Sequence, residues 1–456
     1  MPKDDDSEVY SKLSHSAKAV LKILQRVEQN QAPDLFQEDP ELQELRRWVS
    51  TYRGGIYTKT LRRLRTLVSR GFVQIITQGD LLGIIKEIWE QNISRLTETE
   101  LNVLEGLLQS PDLSMKELAK HIKITYNRTR RALDHLKSTG VLRREGRVDA
   151  ASLGLDRLLI IQTNPTGVVN SPYVTRALYV DGSTRRVFLK LLIPSRHRNA
   201  FMGTIKTIRS LSDSTKVYAL SAGLPRFGRA YYSYSKRKFE FDKLHFRLML
   251  RAGGMDDLTL GEFNVGAIKF PNRFNSSETK IIESLIDDFD LTAQEIAKNT
   301  GLSESTTFRK RAKIVNSGIV RPRPKIAIPN LSDRVCGIFG GEAAATIIPA
   351  WSQLPCTTTS MITNLEDASE KKIIFTTALP AGSARDLLDV IQSEKSKIDD
   401  IEVWEVAAGA KNNLPVSALY DTDRKQWEFD YSFLDVRSFS ICRNEASRTD
   451  IPLDLS

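Results

Sequence analysis

The chain has 456 residues, 41% of them hydrophobic and 27% charged, so it is too long for one ordinary core and too apolar for a disordered chain. Its net charge of +10 suits a polyanionic partner. Apolar runs fall short of the roughly 18 residues a membrane-spanning helix needs, and the acidic start (Met1 to Ser7) lacks the basic and apolar regions of a secretory signal, so a cytoplasmic protein without a membrane partner is expected.

In chain order, the first expected helices are Ser16 to Gln29, Glu41 to Trp48 and Thr58 to Arg70. The last of these carries a cassette that recurs twice. Thr60-Leu-Arg-Arg-Leu-Arg-Thr-Leu-Val-Ser-Arg-Gly71 aligns without gaps on Thr129 to Gly140 and on Thr307 to Gly318. Each copy has Arg nine residues before its glycine (Arg62, Arg131, Arg309) and an apolar pair after it. That pattern predicts a helix closed by a left-handed glycine and opening into a strand. Upstream of the second copy, Thr97 to Gln109 has leucines at helical spacing, and Thr97/Glu100 and Ser114/Glu117 are capping-box pairs. Upstream of the third, Ser276 to Asp288 is helical in pattern and Thr292/Glu295 is another such pair. Helix, helix, turn, helix, strand is the order of a winged helix-turn-helix.

Each of these two units precedes a strand-and-helix segment. After the second copy the expected elements are a strand at Leu158 to Thr163, a short helix at Ser171 to Arg176, and strands Ala177 to Asp181 and Arg185 to Ile193 around a Gly182-Ser183 turn. A helix at Ser195 to Leu211 and a strand at Lys216 to Ala222 follow. After the third copy come Val335 to Phe339 (strand), Ile347 to Leu354 (helix), Thr358 to Thr363 and Lys372 to Leu379 (strands). Ser383 to Lys397 (helix) and Ile401 to Ala407 (strand) complete the order. Tyr234 through Phe239-Glu-Phe-Asp242 parallels Tyr420 through Trp427-Glu-Phe-Asp430. Residues 96–250 are therefore duplicated as 275–440, with an offset of 178 from Gly140 to Gly318 and 188 from Phe239 to Trp427.

The expected domains are a winged-helix-like unit with a linker helix (1–95), a winged helix (96–148) and an α/β module with an extension (149–250). A linker (251–274), a winged helix (275–329), a second α/β module (330–440) and a polar, fraying tail (441–456) follow. Lysine and arginine neutralise phosphates, whereas sequence is read by helix residues that reach base edges. The candidate DNA contacts are Lys59, Arg62 and Arg63 in the first copy. In the second they are Asn127, Arg128, Arg130 and Arg131, with Arg143 and Arg144 on the following wing. In the third they are Ser305, Arg309, Lys310, Arg321 and Arg323. Asn127, Arg128 and Arg131 are the strongest base readers, because Arg pairs bidentately with guanine and Asn with adenine.

Leu96-Thr-Glu-Thr-Glu100, Lys116-Glu-Leu-Ala119, Thr129-Arg-Arg-Ala-Leu133, Leu136 to Val141, Val148-Asp149 and Leu153-Gly154 carry a resemblance to a known family. Residues 96–222, and more weakly 275–408, resemble the Lrp/AsnC (feast/famine, leucine-responsive) transcriptional regulators. The resemblance implies a winged helix followed by a ferredoxin-like βαββαβ module of the RAM type, double-stranded DNA as partner, and a small-molecule effector. It implies dimerisation through the α/β modules, as a homodimer or, in a tandem chain, an internal pseudo-dimer. No effector residue is carried over, because the family's glycine-bearing effector loop is not matched. The expectation is an α+β, non-enzymatic, sequence-specific DNA-binding regulator without cofactor or metal. The chain has no GxxxxGK[ST], no GxGxxG after a strand and no HExxH. Cys336, Cys356 and Cys442 lie far apart without CxxC spacing.

Two alternatives stand beside it. Siroheme decarboxylases resemble tandem Lrp proteins and work through His and Arg at the α/β interface; here Arg196-His197-Arg198 and Arg226-Phe-Gly-Arg229 would hold propionates. A protein-interaction scaffold is the other.

Overall fold

The computed structural model describes residues 4–28, 56–69, 71, 75–92, 95–180, 184–252, 273–328, 330–394, 400–429 and 435–448. The expected helix at Glu41 to Trp48 and the Gly182-Ser183 turn lie outside the described residues. The protein is of mixed α and β structure, with helical groups flanking one long antiparallel sheet.

The first group is α1 (Asp4–Lys12), α2 (His15–Glu28), α3 (Ile56–Ser69) and α4 (Gln78–Asn92). Val9, Leu21, Leu24, Leu64, Leu81 and Ile85 share its core. Helix α1 begins within the acidic start, at Asp4, and Val9 and Leu13 are buried in this core.

The second group is α5 (Glu98–Gln109), α6 (Met115–His121) and α7 (Tyr126–Ser138), followed by β1 (Leu142–Val148). The capping boxes at Thr97/Glu100 and Ser114/Glu117 both form, satisfying backbone N–H groups that a helix start leaves open. Next come α8 (Ala150–Leu153), β2 (Leu155–Thr163), β3 (Gly167–Asn170), β4 (Val174–Val180) and β5 (Arg186–Pro194). α9 (Arg198–Arg209), β6 (Ser214–Leu220), β7 (Leu224–Arg226), a hairpin of β8 (Tyr232–Ser233) and β9 (Lys238–Phe239), and α10 (Lys243–Ala252) complete this half. The helix expected at Ser171 to Arg176 does not form. Pro172 disfavours helical backbone at Ser171, the Tyr173 amide donates to Ser171 Oγ to close a turn, and the chain then pairs with β5.

The third group is α11 (Ser276–Asp287), α12 (Ala293–Thr300) and α13 (Glu304–Asn316), followed by β10 (Val320–Ile326). Thr292/Glu295 forms its box, and Asn275 with Glu278 makes a further one before α11. The elements after it are β11 (Asp333–Gly340), α14 (Gly341–Ser352), β12 (Thr357–Asn364), β13 (Lys371–Leu379), α15 (Ser383–Glu394) and β14 (Ile401–Glu405). Last are β15 (Ala408–Lys411), α16 (Val416–Leu419), a hairpin of β16 (Tyr420–Asp421) and β17 (Gln426–Trp427), β18 (Asp435–Ser438) and α17 (Phe439–Arg448). Part of the expected tail is therefore helical, because Phe439 and Ala446 find a core to bury in. Gly71, Gly140 and Gly318 all adopt φ between 69° and 73°, the left-handed closure the repeat predicts.

The two halves interlock in three ways. Their strands join in one sheet, β14-β11-β13-β12-β6-β2-β5-β4-β15, with β7 also on β12. Each half lends a late strand to the other: β7 pairs with β12 and β15 with β4. The strands after the second and third helical groups do not fold back as separate wings. They pair with each other, Leu142↔Ile326 through Val148↔Val320. The cores follow the exchange, since Val148 packs with the third group and Ile326 with the second. Close approach there demands glycine: a Cβ on Gly146 would lie 2.3 Å from the Leu285 carbonyl oxygen.

The terminal hairpins repeat as well. Tyr232 Oη donates to the Leu96 carbonyl, and Tyr420 Oη accepts from the Phe274 amide. Leu96 and Phe274 stand at the same offset of 178 as the two glycines, immediately before α5 and α11. Each hairpin thus clasps the entry to a helical group. The tyrosine equivalent to Tyr420 is Tyr232, two residues before the Tyr234 expected from the sequence.

Candidate nucleic-acid interface and neighbouring basic clefts

α7 buries Thr129, Ala132, Leu133 and Leu136 and leaves Tyr126, Asn127, Arg128, Arg130 and Arg131 exposed. A stripe of apolar residues at three- and four-residue spacing docks the helix and turns the intervening polar residues outward. Arg128 donates to Thr99 Oγ1 at 3.3 Å, and Arg130 lies 3.7 Å from Asp134 one turn on. α13 repeats the arrangement: Thr307 and Ile314 are buried, Ser305 and Arg309 exposed. Asn127 and Ser305 share one helical position, as do Arg131 and Arg309. Phe308, at the position of Arg130, is 69% exposed. Lys310 is partly exposed and donates to Asn275 Oδ1 at 2.9 Å.

Both helices are tied down from behind. Glu100, buried in its capping box, meets His135 Nδ1 at 2.5 Å; the equivalent Glu278 meets Lys313 Nζ at 3.2 Å. Burial alone would raise the Glu100 carboxyl, but hydrogen bonds from His135 and Thr97 outweigh it and hold it below the usual range. In the first copy, α3 exposes Arg62 and Arg63, with Arg63 3.3 Å from Glu87, and leaves Lys59 partly exposed.

The expected wing residues lie elsewhere. Arg143 and Arg144 face Lys325 and Pro324 in the β1–β10 ribbon, and Arg321 faces Arg147. Arg144 is held by Asp290 at 3.3 Å, and Arg323 by Glu145 at 2.9 Å. Arg321 alone of these four is fully exposed. At the base of the ribbon, one cavity of about 130 Å³, which the sequence does not reveal, is lined by Arg147, Arg157, Arg176 and Lys190 with Arg323 and Lys411. The sequence signal is weak, because these residues are scattered over six strands.

A larger cleft of about 860 Å³ adjoins it, lined by Arg157, Arg196, Arg198, Arg273, Tyr420 and Trp427 among others. Arg196 donates to Gln426 at 2.5 Å, Arg198 lies 3.7 Å from Asp156, and the His197 ring stacks on Phe429 at 5.5 Å. Burial first, and then Arg196, lower the His197 pKa. Arg226 and Arg229 do not line this cleft: Arg229 reaches back to Asn102 and Glu105 on α5. Among the described residues no helix is long and apolar enough to cross a membrane.

No family model matches the chain, and no curated protein matches it. Solved structures do. The siroheme decarboxylase NirDL superposes with a TM-score of 0.40 and 12% identity over 70% of this chain and 96% of that one. LrpC of Bacillus subtilis gives 0.22 and 23% over 27% of this chain and 91% of that one. An AsnC family transcriptional regulator from Agrobacterium tumefaciens gives 0.22 and 14% over 27% and 88%. Lrp/AsnC-like folds thus match a limited part of the chain. The expectation that the chain is not an enzyme is corrected, because the likeness that extends over 70% of it is to an enzyme.

Proposed function

We propose that the chain is a sequence-specific DNA-binding regulator, in which α7 and α13 are the recognition helices of two winged helix-turn-helix units. The two α/β segments are ferredoxin-like modules that join them as an internal pseudo-dimer. The observation that carries the reading is the matched exposure of Asn127 with Ser305 and of Arg131 with Arg309 on helices that bury the equivalent pairs Thr129/Thr307 and Leu136/Ile314. Arg131 and Arg309 reach guanine edges and Asn127 an adenine, while Arg128, Arg130 and Lys310 lie against phosphates. In the first copy Lys59, Arg62 and Arg63 add a phosphate contact. Of the ribbon residues, Arg321 and Arg143 remain contacts to flanking phosphates. Two readers related by an internal pseudo-dyad imply an imperfect palindrome with half-sites separated by whole turns of the duplex.

The test is retention of genomic DNA fragments by purified protein at two salt concentrations, with sequencing of what is kept. The expected result is a compact motif of two half-sites that persists at the higher salt. Sequence-blind retention that collapses with salt overturns the proposal and leaves phosphate attraction alone.

A second reading is favoured by the 860 Å³ cleft, where Arg157, Arg196, Arg198 and Arg273 surround Tyr420 and Trp427. Cations around an aromatic floor suit a carboxylated tetrapyrrole, and the siroheme decarboxylase NirDL has been crystallised with an iron-uroporphyrin III analogue. An absorbance titration with iron-uroporphyrin tests it: a saturable spectral change lost in Arg196→Ala supports the reading, and an unchanged spectrum removes it.

A further inference from the structure

The gap-free alignment of α7 on α13, at an offset of 178, matches the two exposed faces residue by residue. Two positions agree in chemistry, Asn127 with Ser305 and Arg131 with Arg309. Others do not. Arg130 and Asp134, one turn apart on α7 at 3.7 Å, are matched on α13 by Phe308 and Ala312. Both members of the ion pair are exchanged, so the face of α13 is apolar along a full turn and not at one point. Arg128 is matched by Thr306, and Tyr126 by Glu304.

Phe308 is 69% exposed, the most exposed large hydrophobic side chain among the described residues. Single apolar residues are ordinary on a protein surface, but position sets this one apart. Phe308 stands three residues after Ser305 and next to Arg309, on the same face of the helix, while Thr307 and Ile314 hold the buried side. The core takes Leu302, Ile314 and Val315 from this segment and not Phe308, so the ring contributes nothing to docking the helix.

In the major groove thymine presents a methyl group at C5, and apolar side chains such as Phe and Ala are the partners that recognise it. The start of a recognition helix is the part that meets base edges, and Phe308 lies four residues after Glu304, where α13 begins. A phosphate is no partner for it. The phenyl ring has no donor, and the exposed Glu304 carboxylate one turn earlier repels the backbone. Arg130, by contrast, has a stem long enough to carry its guanidinium out of the groove to a phosphate.

We infer that Phe308, with Ala312 one turn on, reads the C5 methyl of a thymine in the half-site under α13. The inference rests on the DNA-reading proposal and gives its two half-sites different chemistry. α7 holds its half-site with Arg128, Arg130 and Arg131, whereas α13 keeps Arg309 and adds an apolar contact. The orientation of the chain on an imperfect palindrome is then fixed, because exchanging the half-sites puts Phe308 over a base without the methyl.

The test uses the full chain and the duplex motif that selection from genomic fragments yields. Each thymine is replaced in turn by deoxyuridine, which lacks only the methyl, and the parent, Phe308→Ala and Arg130→Ala are titrated on every duplex. The parent is expected to bind about three- to fivefold weaker when one thymine, in one half-site, loses its methyl. Phe308→Ala binds the unsubstituted motif weaker by at least that factor, and its thymine-to-uracil ratio at that position falls toward one. Arg130→Ala weakens both duplexes alike and keeps the ratio. Any change of duplex shape from the missing methyl is common to the three proteins, so a ratio lost in Phe308→Ala alone belongs to the ring. Because the ring is exposed, Phe308→Ala melts with the parent. Equal affinity of the parent for thymine and uracil at every position of a motif it still selects overturns the inference and leaves the DNA-reading proposal intact. So does a ratio undiminished in Phe308→Ala. Loss of self-association in that variant, with the ratio kept, places the ring at a contact between copies instead. A chain that selects no motif overturns the DNA-reading proposal and this inference with it.

Discussion

Glu145 and Arg323 hold the same position in the two copies of the cassette, 178 residues apart, and they face each other across the β1–β10 ladder with Arg323 donating to Glu145 Oε2 at 2.9 Å. A residue that pairs with its own counterpart marks a two-fold relation, as at the interface of a symmetric dimer. Here the relation is internal, and it breaks symmetry in charge: acid on one strand, base on the other. Lys325 and Lys411 converge on the same carboxylate.

Removing that carboxylate leaves three cations around a buried gap. Breaking a buried ion network by deleting one partner costs about 3–5 kcal/mol, because the remaining charges lose their compensation. Glu145→Ala is expected to fall in that range in urea unfolding at pH 7. Glu145→Gln, which keeps the shape, is expected to lose less. A loss below about 1 kcal/mol for Glu145→Ala would show that solvent already screens the cluster.

On the outer face of the same architecture, Arg131 and Arg309 are exposed and stabilise little. Arg131→Ala and Arg309→Ala are each expected to leave the melting temperature unchanged. Each weakens binding to the retained DNA motif by about 1–3 kcal/mol, with relaxed preference at one base pair. Equal weakening on all sequences would make them phosphate contacts. No change in either variant would remove both from the readout.

How much of this was legible beforehand follows the range of each interaction. The capping boxes at Thr97, Ser114 and Thr292 and the glycine closures form as expected, because the groups that decide them lie within four residues. The Ser171 to Arg176 helix failed for the opposite reason: its residues suit a helix or a strand, and pairing with β5 decided the matter. The wings failed more instructively. Residues 142–148 and 320–326 have the composition of wing strands, yet each finds its hydrogen-bonding partner 178 residues away, so Arg144 and Arg323 face acids of the other half. The cationic cavity is out of reach of the sequence because the expected strand begins at Leu158, just after Arg157, and the other lining residues come from strands far along the chain.

The left-handed glycines allow a comparison between equivalent sites. Gly140 and Gly318 have φ of 73° and 71°, which an L side chain adopts at a cost of about 1–2 kcal/mol. A Cβ on Gly318 would in addition sit 3.1 Å from the Arg321 guanidinium. Gly140→Ala and Gly318→Ala are therefore each expected to destabilise by about that amount in chemical unfolding. Gly318→Ala is expected to be the costlier, unless Arg321 swings away. A neutral outcome at both would mean that the helix ends relax without the left-handed turn.

The His135–Glu100 contact gives a pH dependence with a definite sign. Glu100 has its carboxyl below the ordinary 4.5, with the hydrogen bonds from His135 and Thr97 prevailing over burial. A group with a lowered folded pKa contributes stability that is complete above its unfolded value and lost as pH falls through the folded one. The Glu100 carboxylate therefore contributes progressively less stability as pH falls below about 4.5. Other carboxylates also steepen the acid limb, so the informative quantity is the difference between the parent and Glu100→Gln, which keeps a capping-box side chain but does not titrate. That difference is expected to shrink as pH falls from about 5 toward 3 in urea unfolding. A difference that stays constant to pH 3 would mean that Glu100 acts through shape alone. His135 would then rest against α5 without a charge to hold it, and the pose of the reading helix would owe nothing to the acid behind it.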